Sequence, residues 1–143
     1  MKRFRFRLQR ILDIREQIRD ELRQELVRKN QIRDHELSVL EDLEQESLRV
    51  MIQEGGTYSA SELVMFGDYR LRLKRRIEEQ QLKVAAAIKD ADEAKERYVE
   101  ASKEAKALEM LKQKRKAEHD EHSLREEGAQ LDEFGIQRAP RPS

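Results

Sequence analysis

The chain has 143 residues, 42% of them charged, yet its 30 Lys and Arg balance its 30 Asp and Glu to a formal net charge of zero. Ala, Glu, Lys, Leu and Arg make up 79 of the 143 positions, the composition of long helices and coiled coils. With 5% aromatic residues, no Trp, five Gly and two Pro, there is little material to enclose a buried active site, which argues against a compact enzyme. The length allows one domain at most. No stretch approaches the ~18 apolar residues that a membrane helix needs, and the start, MKRFRFRLQRIL, alternates Arg with apolar side chains instead of forming a signal-peptide core. A soluble, unexported protein is expected. The absence of Cys removes disulfides and thiolate metal sites and suits a reducing cytoplasm.

In chain order, the first apolar stripe comprises Phe4, Leu8, Ile11, Ile18, Leu22, Leu26, Leu37, Leu40, Leu43, Leu48 and Met51, with Arg15, Lys29 and Arg33 filling the intervening steps. It predicts a first helix over about 4–53, with a mean step nearer 3.6 than 3.5 and so a weak supercoil. Glu54-Gly55-Gly56-Thr57-Tyr58 should stop it, since adjacent glycines are poor helix formers and permit a reversal. The turn is expected over about 54–59. A capping box then restarts the helix: Ser59 can accept from the amide three residues on, while Glu62 reaches back to the cap amide.

The second stripe runs Leu63, Phe66, Leu73, Ile77, Val84, Ile88, Ala91, Ala94, Tyr98, Ala101, Ala105, Leu108 and Leu111. It predicts a second helix over about 60–127, ending before Gly128. A short turn makes the two helices antiparallel neighbours, Met51 meeting the Leu63 region and Phe4 the region of Leu108. The expected fold is all-α: a long antiparallel two-helix coiled coil, or helical hairpin, over 1–127, with a flexible tail over 128–143. Roughly 15 residues of the second helix should project beyond the paired zone.

No set of residues forms a catalytic constellation. Gly55-Gly56 lacks the Lys-Ser/Thr that a phosphate loop needs. His119 and His122 share a helix face but lack a third ligand, so a solvated polar face is the better reading than a metal site. Glu78-Glu79 and Glu126-Glu127 have no cleft to perturb their acidity. The expectation is no enzyme, no cofactor and no metal.

Charge placement says more. Lys2, Arg3, Arg5, Arg7 and Arg10 oppose the helix dipole at the N-terminus, and two readings stay open: a docking surface for an acidic partner, or a frayed, solvated start. Arg70, Arg72, Lys74, Arg75 and Arg76 fall opposite Glu41, Asp42, Glu44 and Glu46 in an antiparallel pair, so intramolecular complementarity explains them first. Overall neutrality and the lack of stacking aromatics argue against nucleic acid. Phe66 and Leu73 belong to the packing stripe, whereas Tyr69 lies about one position off it and is a candidate exposed ring near the turn.

Phe4, Phe6, Leu8, Ile11, Leu12, Ile14, Arg15 and Glu16 at the start, a glycine break after about fifty residues, a long second helix, and Leu131-Asp132-Glu133-Phe134 followed by Gln137-Arg138 resemble the flagellar FliJ family over nearly the whole chain. That resemblance implies a coiled coil similar to the central stalk of rotary ATPases. It further implies that the end with both termini sits in the hexameric export ATPase FliI and promotes its activity, that the hairpin end faces the export gate FlhA, and that export chaperones are possible further partners. The protein would be cytoplasmic, peripheral at the inner membrane through the export apparatus. The gate-facing positions of the family are matched by Tyr69 and Leu73, with Arg76 next along that face. On the ATPase side, location selects Phe4, Arg5, Arg7, Leu8, Ile11 and Leu111. Asp132, Glu133 and Phe134 match the family's terminal motif without an assigned role. The competing readings are a generic coiled-coil scaffold or chaperone, the equivalent stalk of a virulence type III secretion system, and a binder of nucleic acid or anionic membrane through the basic start.

Overall fold

The computed structural model describes residues 2–53 and 56–138, without the side chains of 52, 53 and 136–138. Two helices, α1 (Gln9–Gln53) and α2 (Ala60–Arg138), pack against each other, and no strand occurs among the described residues. The chain divides into two compact units, one of residues 1–19 with 100–143 and the other of 20–99, and both helices contribute to each.

In the unit of residues 20–99, the side of α1 turned inward passes through 22, 26, 29, 33, 36, 40, 43, 47 and 50, all buried or half-buried. The matching side of α2 passes through 73, 77, 80, 84, 87, 91, 94 and 98. Both alternate steps of four and three, a mean of 3.5, so the seam has the heptad period of a left-handed coiled coil and not the 3.6 expected from the apolar residues alone. The difference arises where two apolar residues are adjacent. Val50 is buried while Met51 and Leu48 are exposed, and Ala87 is buried while Ile88 is 39% exposed. Polar side chains keep the period where apolar ones are missing, with Lys29, Arg33 and Glu36 on α1 and Gln80 on α2.

Cross-helix bonds set the direction and register of this unit. The Tyr69 hydroxyl donates to Glu46 at 3.0 Å, Gln80 Nε2 donates to the Glu36 main-chain oxygen at 2.9 Å and to its carboxylate, and Arg97 donates to Glu25 at 3.1 Å. Numbers fall along α1 as they rise along α2, so the helices are antiparallel. Within the acidic stretch, Glu46 accepts from Tyr69 and pairs with Arg49 at 3.1 Å. Ser59 caps α2 as its sequence indicates: the Glu62 amide donates to Ser59 Oγ at 3.2 Å, and the Ser59 amide donates to the Glu62 carboxylate at 3.4 Å. Of the turn, Glu54 and Gly55 lie outside the described residues. Gly56 lies against the Tyr58 ring, whose hydroxyl would stand 3.1 Å from an added Cβ, and Tyr58 packs edge-on to Phe66 with centroids 4.9 Å apart. This extended lead-in displaces the register: Met51 lines a groove with Gly67, Arg70 and Leu71, and Leu63, its expected neighbour, is exposed.

The unit formed by 1–19 and 100–143 is built on Leu12, Ala101 and Ala105, each buried. Leu12, not the neighbouring Ile11, is the inward residue. Arg15 pairs with Glu104 at 2.6 Å. Two boundaries differ from the sequence reading. α1 starts at Gln9 and not near residue 4, because cations at Lys2, Arg3, Arg5 and Arg7 oppose the positive end of the helix dipole. α2 continues through Gly128 to Arg138; an isolated glycine costs a helix only ~1 kcal/mol, and the flanking Leu124 to Glu133 stretch contains no proline to break it. Residues 128–138 are therefore helix and not tail, while Ala139 to Ser143 lie outside the described residues.

Candidate partner-binding surfaces

Residues 2–6 lie outside any helix and residues 7–8 form the turn into α1, and burial over 3–8 alternates with a period of two. Phe4, Phe6 and Leu8 are half-buried, while Lys2, Arg3, Arg5 and Arg7 are exposed between them. The segment is tied to the start of α1 by the Gln9 amide, which donates to the Phe6 carbonyl at 3.1 Å. The Phe4 ring meets His119 with centroids 5.5 Å apart, farther along α2 than the expected Leu108, because an extended segment advances ~3.3 Å per residue against ~1.5 Å in a helix. A groove of about 790 Å³ results, with Phe4, Leu8 and Leu111 supplying apolar wall and Arg5, Arg7 and Arg115 supplying charge. Lys112 and Lys116 border the adjoining hollow beside Arg3 and Arg5.

Of the residues selected for an ATPase contact, Phe4, Arg5, Arg7, Leu8 and Leu111 are thus brought to one groove. Ile11 is not among its walls and stands 45% exposed on α1. His119 Nδ1 is buried without a hydrogen-bond partner, 3.6 Å from an Asp120 carboxylate oxygen, and His122 Nε2 lies 3.0 Å from Glu126. The two imidazoles face different partners, and among the described residues no cluster of three or more His, Cys, Asp or Glu is placed to hold a metal ion.

In the other unit, Leu73 is 2% exposed and sits in the helix–helix seam, where it offers no surface to a partner. Tyr69 is half-buried, with the Arg72 guanidinium 6.0 Å from its ring centroid. Its hydroxyl is held above the ordinary tyrosine pKa, first by the hydrogen bond to Glu46, then by desolvation and by the charge of that carboxylate, with Arg76 and Arg49 acting in the opposite sense. Arg76 is exposed. The apolar surface near the connection comes instead from Leu48, Met51, Leu63, Val64, Met65 and Leu71, all more than half exposed. Met51 and Leu71 share a groove of about 600 Å³ with the stem of Ile77 and with Arg70 and Lys74 at its edge. Leu63-Val64-Met65-Phe66 signals this surface in the sequence: four consecutive apolar residues encircle a helix, so some must face outward. In the terminal motif, Asp132, Glu133 and Phe134 lie in the last turns of α2, exposed.

The family model of the flagellar FliJ protein matches residues 4–143. No curated protein and no solved structure matches the chain.

Proposed function

The chain belongs to the FliJ family, a component of the flagellar protein-export apparatus, and from that premise we propose that it is a non-enzymatic coupling element between the export ATPase and the export gate. The unit carrying both termini would enter the centre of the hexameric ATPase FliI and promote its activity. The observation that carries this reading is the groove in which Phe4, Leu8 and Leu111 lie beside Arg5, Arg7 and Arg115. An apolar floor with a basic rim fits an acidic, partly apolar partner surface: the apolar part provides affinity, and the charges provide orientation and approach rate.

The unit carrying the connection would meet the gate FlhA. Leu73 is buried, so the contact falls to Tyr69 and to its exposed neighbours Met65 and Leu71. Export chaperones are further partners in this proposal, and the protein would act at the cytoplasmic face of the inner membrane; no helix among the described residues is long and apolar enough to cross it. Coupling requires only that the protein bind some ATPase subunit states better than others, since differential affinity is what shifts an equilibrium.

The test is the ATPase rate of the cognate purified FliI as this protein is titrated in. Stimulation saturating well below one copy per ATPase subunit supports a central position in a hexamer. No stimulation, with the ATPase assembling normally, overturns the reading. Arg5→Glu together with Arg7→Glu should reduce the stimulation roughly 10-fold, about what loss of one or two interfacial charge contacts costs, and an unaltered response would move the contact elsewhere.

A further inference from the structure

Between the start of the chain and α2 lies a hollow of about 600 Å³, beside the groove that holds Leu111. Its walls carry Arg3 and Arg5 from the N-terminal segment and Lys112 and Lys116 from α2, with Phe4 and Phe6 as apolar surface. The two lysines are one helical turn apart, on one side of α2. Among the described residues of these walls there is no carboxylate. Gln9 also lines the hollow and is the first residue of α1, whose first turn has no acidic side chain, so the positive end of the helix dipole adds to the same field. Asp13, one turn on, accepts from Gln9 Nε2 at 2.8 Å and is not a wall of the hollow.

The contrast with the other cross-chain contacts is sharp. Arg15 meets Glu104 at 2.6 Å and Arg97 meets Glu25 at 3.1 Å. Among the described residues, none of Arg3, Arg5, Lys112 and Lys116 forms an ion pair. Four like charges gathered from two parts of the chain repel one another, and an anion held among them turns that repulsion into attraction. The size of the hollow falls within the ~300–1,000 Å³ of small-ligand sites. Arginine forks take phosphate oxygens two at a time, and lysines act on them as point charges. A short phosphate chain brings several charges within reach of all four cations at once, whereas the carboxylates of a protein are spread along its backbone.

We propose that the hollow bounded by Arg3, Arg5, Lys112 and Lys116 is a binding site for a di- or triphosphate group, free or carried by a nucleoside, which clamps the N-terminal segment onto α2. The phosphate chain bridges the two walls, and Phe4 and Phe6 offer an apolar face to a base where one is present. The site stands apart from the export reading, because its ligand is not a protein.

Calorimetry on the full-length protein at low salt tests this with three probes: sodium tripolyphosphate, ATP without metal, and hexaglutamate. Tripolyphosphate should bind at least ~10-fold tighter than hexaglutamate, with an affinity that falls as salt rises. ATP binding tighter than tripolyphosphate identifies a nucleotide as the source, and equal affinity identifies the phosphate chain alone. Arg3→Gln combined with Lys116→Gln should weaken tripolyphosphate binding at least ~10-fold, the cost of losing charge-assisted hydrogen bonds. Arg7 is not a wall of this hollow, so Arg7→Gln should change the affinity less than ~2-fold. Bound tripolyphosphate should also slow amide exchange over residues 3–7, because the segment is then held to α2. No binding at millimolar tripolyphosphate, hexaglutamate binding as tightly as tripolyphosphate, or an unchanged affinity in the double variant overturns the proposal. None of these results bears on ATPase stimulation.

Discussion

Tyr69 shows how a single side chain records the pairing of the helices. Its hydroxyl donates to Glu46 across the seam, and that bond is the first cause of its raised pKa. Because the folded value lies above the unfolded one, the interaction stabilises the protein fully below the ordinary tyrosine value of ~10 and is lost as the pH rises through the folded value. In a Tyr58→Phe, Tyr98→Phe background, phenolate absorbance should show Tyr69 titrating late, and Glu46→Gln should bring it down toward the ordinary value. A titration unchanged by Glu46→Gln would place the cause elsewhere. Single residues were also where the sequence was least legible. At Ile11/Leu12, Val50/Met51 and Ala87/Ile88, two apolar neighbours stand ~100° apart on the helix, and either can be drawn inward. Size favours Ile88 and Met51, but close helix approach takes Ala87 and Val50. Leu73, matched by the resemblance to a gate-facing position, is buried in the seam, as its place on the packing stripe indicates.

Among the elements, α2's start and its capping box follow directly from the sequence, because serine and glutamate act locally there. The other ends depend on what surrounds them. The first eight residues carry a helical apolar pattern, yet Phe4, Phe6 and Leu8 also fit a period of two, and the cations decide for the extended form. Gly128 is an unsupported stop: nothing lies within 4 Å of a Cβ built there, and the helix continues for ten residues beyond it. Gly128→Ala should therefore add ~1 kcal/mol of local helix stability without steric cost. Slower amide exchange over residues 124–133 would register the gain, and unchanged exchange would mean that this part of α2 is not helical in solution.

For the molecule as a whole, fold class and family are readable in composition, period and terminal motifs, whereas the contact surfaces depend on which residues the pairing leaves outside. Burial is concentrated in the helix–helix seams, and residues 120–135 of α2 are mostly exposed. Hydrogen exchange should accordingly be slowest around residues 80–105 and fastest, within α2, beyond residue 120, since local opening follows buried contact; uniform protection along α2 would contradict this. In the unit of residues 20–99, the α2 seam narrows to Ala87, Ala91 and Ala94. Alanines let backbones approach closely, but they are shaped too simply to resist sliding by a heptad, so alignment rests on the bonds from Gln80 to Glu36 and from Tyr69 to Glu46. Where registry is kept by a few polar latches and not by interlocking shapes, matched insertions or deletions of seven residues in both helices preserve every seam. Such a pair is free to change its length over evolution while keeping its packing intact.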